Sequence, residues 1–122
     1  MLAALFFGSA LAASLDVTYI FTGIEGGYDH THRLEVFADG VSVGVSPEGA
    51  QSKKGHVHVE VPNGPFVVRI VDSAFYDGKW EEHTIANDYS LDCIVEKELS
   101  PRKKHKLSIV FDIDNGVTVK GK

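Results

Sequence analysis

The chain has 122 residues, enough for one domain with a self-supporting core. Hydrophobic residues make up 43% and charged residues 24%, an ordinary balance for a globular protein. The formal net charge of −5 excludes general nucleic-acid binding, which needs a basic surface.

Met1 to Ser14 carries no charged side chain. Leu2 to Gly8 is an apolar run, and Ala10-Leu11-Ala12 is a small-x-small cleavage site. Residues 1–13 therefore read as a secretory signal peptide or an apolar N-terminal segment, with an ordered strand or helix as the alternative. The run is too short to span a bilayer. Cys93 is the only cysteine, so no intrachain disulfide is possible, a usage compatible with export. Residues 14–122 then form a single domain.

Asp16 to Ile24 predicts a first strand, with Val17, Tyr19 and Phe21 on one face. Gly23 to Arg33 reads as a loop. Leu34 to Ala38 and Val41 to Val45 flank Asp39-Gly40, a pair suited to a type I′ turn because both residues tolerate positive φ. A two-residue turn pairs Ala38 with Val41, Val36 with Val43 and Leu34 with Val45. After the polar loop from Ser46 to Gly55, Asn63-Gly64 predicts a second hairpin that pairs Val61 with Phe66, Val59 with Val68 and Val57 with Ile70. Asp77-Gly78 predicts a third, pairing Phe75 with Trp80, Asp72 with His83 and Ile70 with Ile85. Asn87 to Ser90 is a further turn.

Leu91 to Leu99 fits strand or helix, and the strand reading is favoured because another strand, Lys106 to Ile113, follows. Asp114-Asn115-Gly116 suits a three-residue hairpin loop with a left-handed Gly116, pairing Ile113 with Val117 and Phe111 with Val119. Hairpins with one apolar face each need a second layer. The expectation is an all-β, two-layer antiparallel β-sandwich of eight to nine short strands. Val36, Val43, Val59, Val68, Ile70, Ile109 and Phe111 should lie in its core.

Val36 to Tyr76, with Asp39-Gly40, Val43-Gly44, Ser46-Pro47 and Pro62-Asn63-Gly64, resembles the PEGA domain. The likeness covers about a third of the chain and consists mostly of turn chemistry. Pro47-Glu48-Gly49-Ala50 spells the family's name-giving tetrapeptide, but in the loop after the first hairpin rather than at its place in the family pattern. The resemblance implies an extracytoplasmic, generally non-catalytic β-sandwich module of a prokaryotic surface protein.

Two H-x-H pairs, His30/His32 and His56/His58, could each turn two imidazoles toward one divalent metal if they lie in strands. The registers place His56 and His58 outside the core and His32 in line with core-facing Leu34, which disfavours a joint site. Asp72 opposite His83 reads as a cross-strand ion pair before an acid–base pair. Asp112-x-Asp114-Asn115-Gly116 starts like a calcium loop but lacks the closing glutamate, so turn chemistry explains it better. Cys93 has no adjacent Lys, Arg or His to activate it. Arg102 to Lys106 is a basic run at a hairpin tip.

The aromatics Tyr28, Phe75, Tyr76, Trp80 and Tyr89 lie in or beside loops and suit a sugar ring or a protein partner. A patch near Asp77-Gly78 would centre on Trp80, covered by a ligand, the N-terminal segment or a second subunit, as in a homo-oligomer. No nucleophile, base and orienting group can be assembled, and no cofactor is implied. The reading is a non-catalytic, secreted, periplasmic or cell-surface β-sandwich with a binding or structural role. The alternative is a carbohydrate- or divalent-metal-binding accessory protein.

Overall fold

The computed structural model describes residues 12–121. The signal segment read over residues 1–13 lies outside them except for its last two residues, and Ala13 already belongs to a strand. Ten strands follow in order: β1 (Ala13–Thr22), β2 (Thr31–Ala38), β3 (Val41–Val45), β4 (Gly49–Ala50), β5 (Gly55–Val61), β6 (Phe66–Tyr76), β7 (Lys79–Glu82), β8 (Ile94–Leu99), β9 (Lys104–Asp112) and β10 (Gly116–Gly121). A single 3₁₀ turn, Ile85–Asn87, is the one helical element among the described residues.

The strands form two facing sheets, as the alternation requires. One runs β10-β9-β1-β5. The other runs β3-β2-β6-β7, with β4 continuing the β3 edge along β2 and β8 continuing the β7 edge along β6. Val17, Leu34, Val36, Val68, Ile70, Ile109 and Phe111 are fully or almost fully buried between them. Burying an aliphatic or aromatic side chain of this kind contributes about 1.5–3 kcal/mol. Leu91 to Leu99 resolves as strand from Ile94 onward, paired with β6.

Both Asp-Gly turns form as expected. Asp39 and Gly40 have φ of 48° and 85°, and Asp77 and Gly78 have φ of 54° and 83°. They set Ala38 opposite Val41, Phe75 opposite Trp80 and Tyr76 opposite Lys79. Asp112 accepts hydrogen bonds from the backbone of Asp114 and Asn115 at 2.9 and 3.1 Å, which is turn chemistry.

Five registers differ from expectation. First, β5 and β6 are not a hairpin: β5 pairs with β1 in one sheet, and β6 with β2 and β8 in the other. A two-residue Asn63-Gly64 turn would need the N–H of Pro65 to close it, and proline has none. The Pro62–Pro65 segment instead carries the chain from one layer to the other. The inward faces survive, because each strand has one apolar side whichever partner it takes. Second, a bulge between Val36 and Phe37 puts Gly44 opposite Val36. Val43 is therefore only half-buried, and Val41 and Val45 are exposed.

Third, β1 and β9 run parallel, with Val17 beside Leu107 and Phe21 beside Phe111. Sheet pairing between the two ends of the chain is not limited by hairpin turns, so an antiparallel rule does not reach it. Fourth, β10 is offset by two residues, pairing Phe111 with Val117, which preserves every face. Fifth, Ile85 is 60% exposed, and Val95 of β8 takes the place opposite Ile70. The chain leaves the sheet after His83 and turns through the 3₁₀ segment, where the N–H of Asn87 bonds to the carbonyl of Thr84 at 3.0 Å.

Candidate functional site

One end of the sandwich opens into a cleft of about 930 Å³. The loop between β1 and β2 supplies Glu25, Tyr28 and His30; the end of β6 and strand β7 supply Tyr76, Glu81 and Glu82; the segment after β7 supplies His83, Asp88 and Tyr89. Ile24 and Ile113 give it an apolar side.

Residue parity explains this gathering. Along β6, Ile70, Asp72, Ala74 and Tyr76 point to the inter-sheet side, and Asp72 is fully buried. Tyr76 continues that row past the end of the core, so its ring emerges at the rim, 55% exposed. His83 stands opposite Asp72, its N–H donating to the Asp72 carbonyl at 2.8 Å. Its imidazole thus lies at the bottom of the cleft.

Beneath the cleft, Asp72 holds two imidazoles at once. His32 Nδ1 meets Asp72 Oδ1 at 2.6 Å, and His83 Nδ1 bonds to Asp72 Oδ2. Carboxylate oxygens accept, so both rings donate from Nδ1. A buried carboxylate with both oxygens engaged by N–H donors avoids the cost of an unpaired buried charge. The imidazoles are packed by aromatic edges: Phe21 lies 5.3 Å from His32 and 5.7 Å from His83, centroid to centroid.

Tyr89 stacks on His83 with ring centroids 3.8 Å apart. Gln51, fully buried, donates from Nε2 to the Tyr89 hydroxyl at 3.0 Å and accepts from the His30 backbone N–H at 2.9 Å. Burial pushes the Tyr89 hydroxyl up to about 12, so it stays a neutral phenol. Burial also pushes the Cys93 thiol up, well out of the range of a nucleophilic thiolate.

The five aromatic candidates divide into two groups. Tyr28, Tyr76 and Tyr89 line the cleft, and His30 joins them with its ring edge-on to Tyr76 at 5.3 Å. Phe75 and Trp80 sit on the outer face of the second sheet, edge-to-face at 5.4 Å. The Arg33 guanidinium lies over the Trp80 ring at 4.0 Å, while Phe75 remains 46% exposed.

The four metal candidates are not brought together. His32 is buried and committed to Asp72, while His30 lines the cleft. His56 and His58 lie on the outer face of the other sheet, where both bond to Asp16 Oδ1 at 2.9 and 3.0 Å. Strand parity and the two-layer arrangement separate them. No group of three or more His, Cys, Asp or Glu side chains among the described residues is arranged to hold a metal ion. Sequence reasoning missed Gln51, whose burial in a polar loop has no pattern to announce it, and Glu25, which looks like any loop carboxylate.

No protein-family model and no curated protein matches the chain. Among solved structures it is similar to a candidate cell adhesion protein from Bacteroides ovatus, at 7% identity over 90% of this chain and 43% of that one, with a TM-score of 0.44. It is also similar to listeriolysin O, at 8% identity over 90% of this chain and 22% of that one (TM-score 0.39). A disulfide-locked intermedilysin mutant with human CD59 matches at 9% identity over 89% of this chain and 24% of that one (TM-score 0.35). The chain spans less than half the length of each. Likeness this slight carries nothing about a ligand or partner.

Proposed function

We propose that the chain is a non-catalytic, extracytoplasmic binding module that takes its ligand in the cleft at the end of the sandwich. The observation that carries this reading is the convergence of Tyr28, Tyr76 and Tyr89 with His30 around one concave opening. Tyr28 and Tyr76 are 65% and 55% exposed, an arrangement suited to stacking on a ligand rather than to filling a core. The PEGA-like turn pattern supports a surface role. So does the apolar leader: cutting after Ala12 leaves β1, which begins at Ala13, intact.

Binding is favoured over catalysis by the surroundings of His83. Among the described residues no hydroxyl or thiol hydrogen-bonds to its Nε2, so the Asp72–His83 pair has no side-chain nucleophile beside it to activate.

The test is calorimetric titration of the mature protein with a panel of oligosaccharides and small amines, repeated on a Tyr28→Ala/Tyr76→Ala variant. Loss of at least about 2 kcal/mol of binding at unchanged melting temperature is expected. Undiminished binding in that variant would place the site elsewhere. N-terminal sequencing of protein secreted from cells should begin at Ala13.

A further inference from the structure

The cleft bears a second property that narrows what it binds. Its lining includes five carboxylates, Glu25, Glu81, Glu82, Asp88 and Asp114, and neither lysine nor arginine. Three tyrosine rings share the same opening. Carboxylates alone would be an ordinary solvated rim. His83, however, is only 6% exposed, lines the cleft, and has no partner at Nε2 among the described residues.

The Asp72 hydrogen bond sets what that nitrogen can do. Nδ1 carries the proton that Asp72 accepts, so in the neutral imidazole Nε2 holds a lone pair. In that neutral form the imidazole at the floor of the cleft offers an acceptor rather than a donor. A ligand seated there must bring a hydrogen on nitrogen or oxygen. The carboxylates and the tyrosine faces both favour positive charge in the same space, the first by Coulomb attraction and the second through the ring quadrupole.

We infer that the cleft recognises a primary ammonium group, which donates one N–H to His83 Nε2 while the tyrosines flank it and the carboxylates offset its charge. The inference rests on the binding cleft proposed above and names its ligand class. The ammonium has two possible sources, a free di- or polyamine and a lysine side chain of a protein partner.

The test follows the tyrosine ring resonances by NMR as the full protein is titrated with 1,4-diaminobutane, with N-acetyl-lysine methylamide and with tetramethylammonium. Both primary amines should shift Tyr28, Tyr76 and Tyr89. Tetramethylammonium has the charge but no N–H, and should bind at least about tenfold more weakly, the worth of one charge-assisted hydrogen bond. Tighter binding of the blocked lysine supports the inference with a protein partner as source; tighter binding of the diamine supports it with a free amine. A Glu81→Gln/Glu82→Gln variant, altered only outside the core, should bind either amine several-fold less tightly at about 10 mM salt, and the gap from wild type should largely close in about 1 M salt; a gap unchanged by salt would overturn the role given to the carboxylates.

Equal affinity for tetramethylammonium would overturn the role of His83 Nε2. Ring shifts with a neutral oligosaccharide, and none with amines at millimolar concentrations, would overturn the ammonium inference while leaving a binding cleft in place. Silence of all three rings toward every probe would remove both.

Discussion

Asp72 shows how one side chain shapes a site it never reaches. It is fully buried, yet by holding Nδ1 of His83 it decides which face of that imidazole the cleft presents. Its pairing with His83 was legible because the Asp77-Gly78 turn counts the residues between them. Its bond to His32 was not, since 40 residues separate the two and only the packing of β2 against β6 brings them together. Trp80 shows the converse. Its outward parity was readable from the same turn, but nothing local announced Arg33 above its ring. Because Trp80 and Phe75 lie outside the cleft, Trp80→Ala should cost about 1–2 kcal/mol, the loss of an aromatic pair and a cation–π contact, and leave cleft binding unchanged. Urea denaturation and the titrations described above measure the two halves of that statement. A binding loss without a stability loss would move the site to the outer face.

At the level of strands, apolar alternation told which side of a strand is buried for every long strand but not for β3, and remained silent on each strand's neighbour. The same inward valines serve β5 whether it pairs with β6 or with β1. The deciding signal was chemical, the missing N–H of Pro65, and it is visible only when the closing hydrogen bond of the turn is traced. The sequence conceals the bulge in β3 for a related reason: Val41, Val43 and Val45 alternate well enough to suggest an unbroken ladder. Gly44 sits where that bulge presses β3 onto the opposite sheet, and a Cβ there would come within 2.5 Å of Val59 Cγ1. Gly44→Ala should therefore destabilise the protein by about 1–3 kcal/mol through overpacking. Combining it with Val59→Ala should cost less than the sum of the two single changes. Strict additivity in denaturant titrations would mean that the two layers do not touch at this point.

For the molecule as a whole, fold class was the most legible property, because successive strands with one apolar face, joined by Asp-Gly turns, admit few solutions besides a sandwich. Its outer faces also respond to pH. On the first sheet Asp16 is held below its usual 3.8, chiefly by the hydrogen bond from His58, and that same bond to Asp16 holds His58 above its usual 6.5. The raised imidazole contributes stability that is complete below 6.5 and lost as pH rises through its folded value. The depressed carboxylate contributes stability that is present above 3.8 and lost as pH falls through its folded value. The pair therefore helps most between those limits. The melting temperature of the wild type should fall slightly more than that of His58→Gln between about pH 6 and about pH 8, and the difference should shrink in about 1 M salt because the site is open to solvent. Identical pH profiles would show that the pair is energetically silent. The parallel seam between β1 and β9 has a consequence of another kind. The hydroxyls of Thr18 and Ser108, 90 residues apart, meet at 3.0 Å across it. Such long loop closure makes folding slow, on the order of milliseconds to seconds. Strand β1 cannot close this seam until β9, which ends at Asp112, has been made.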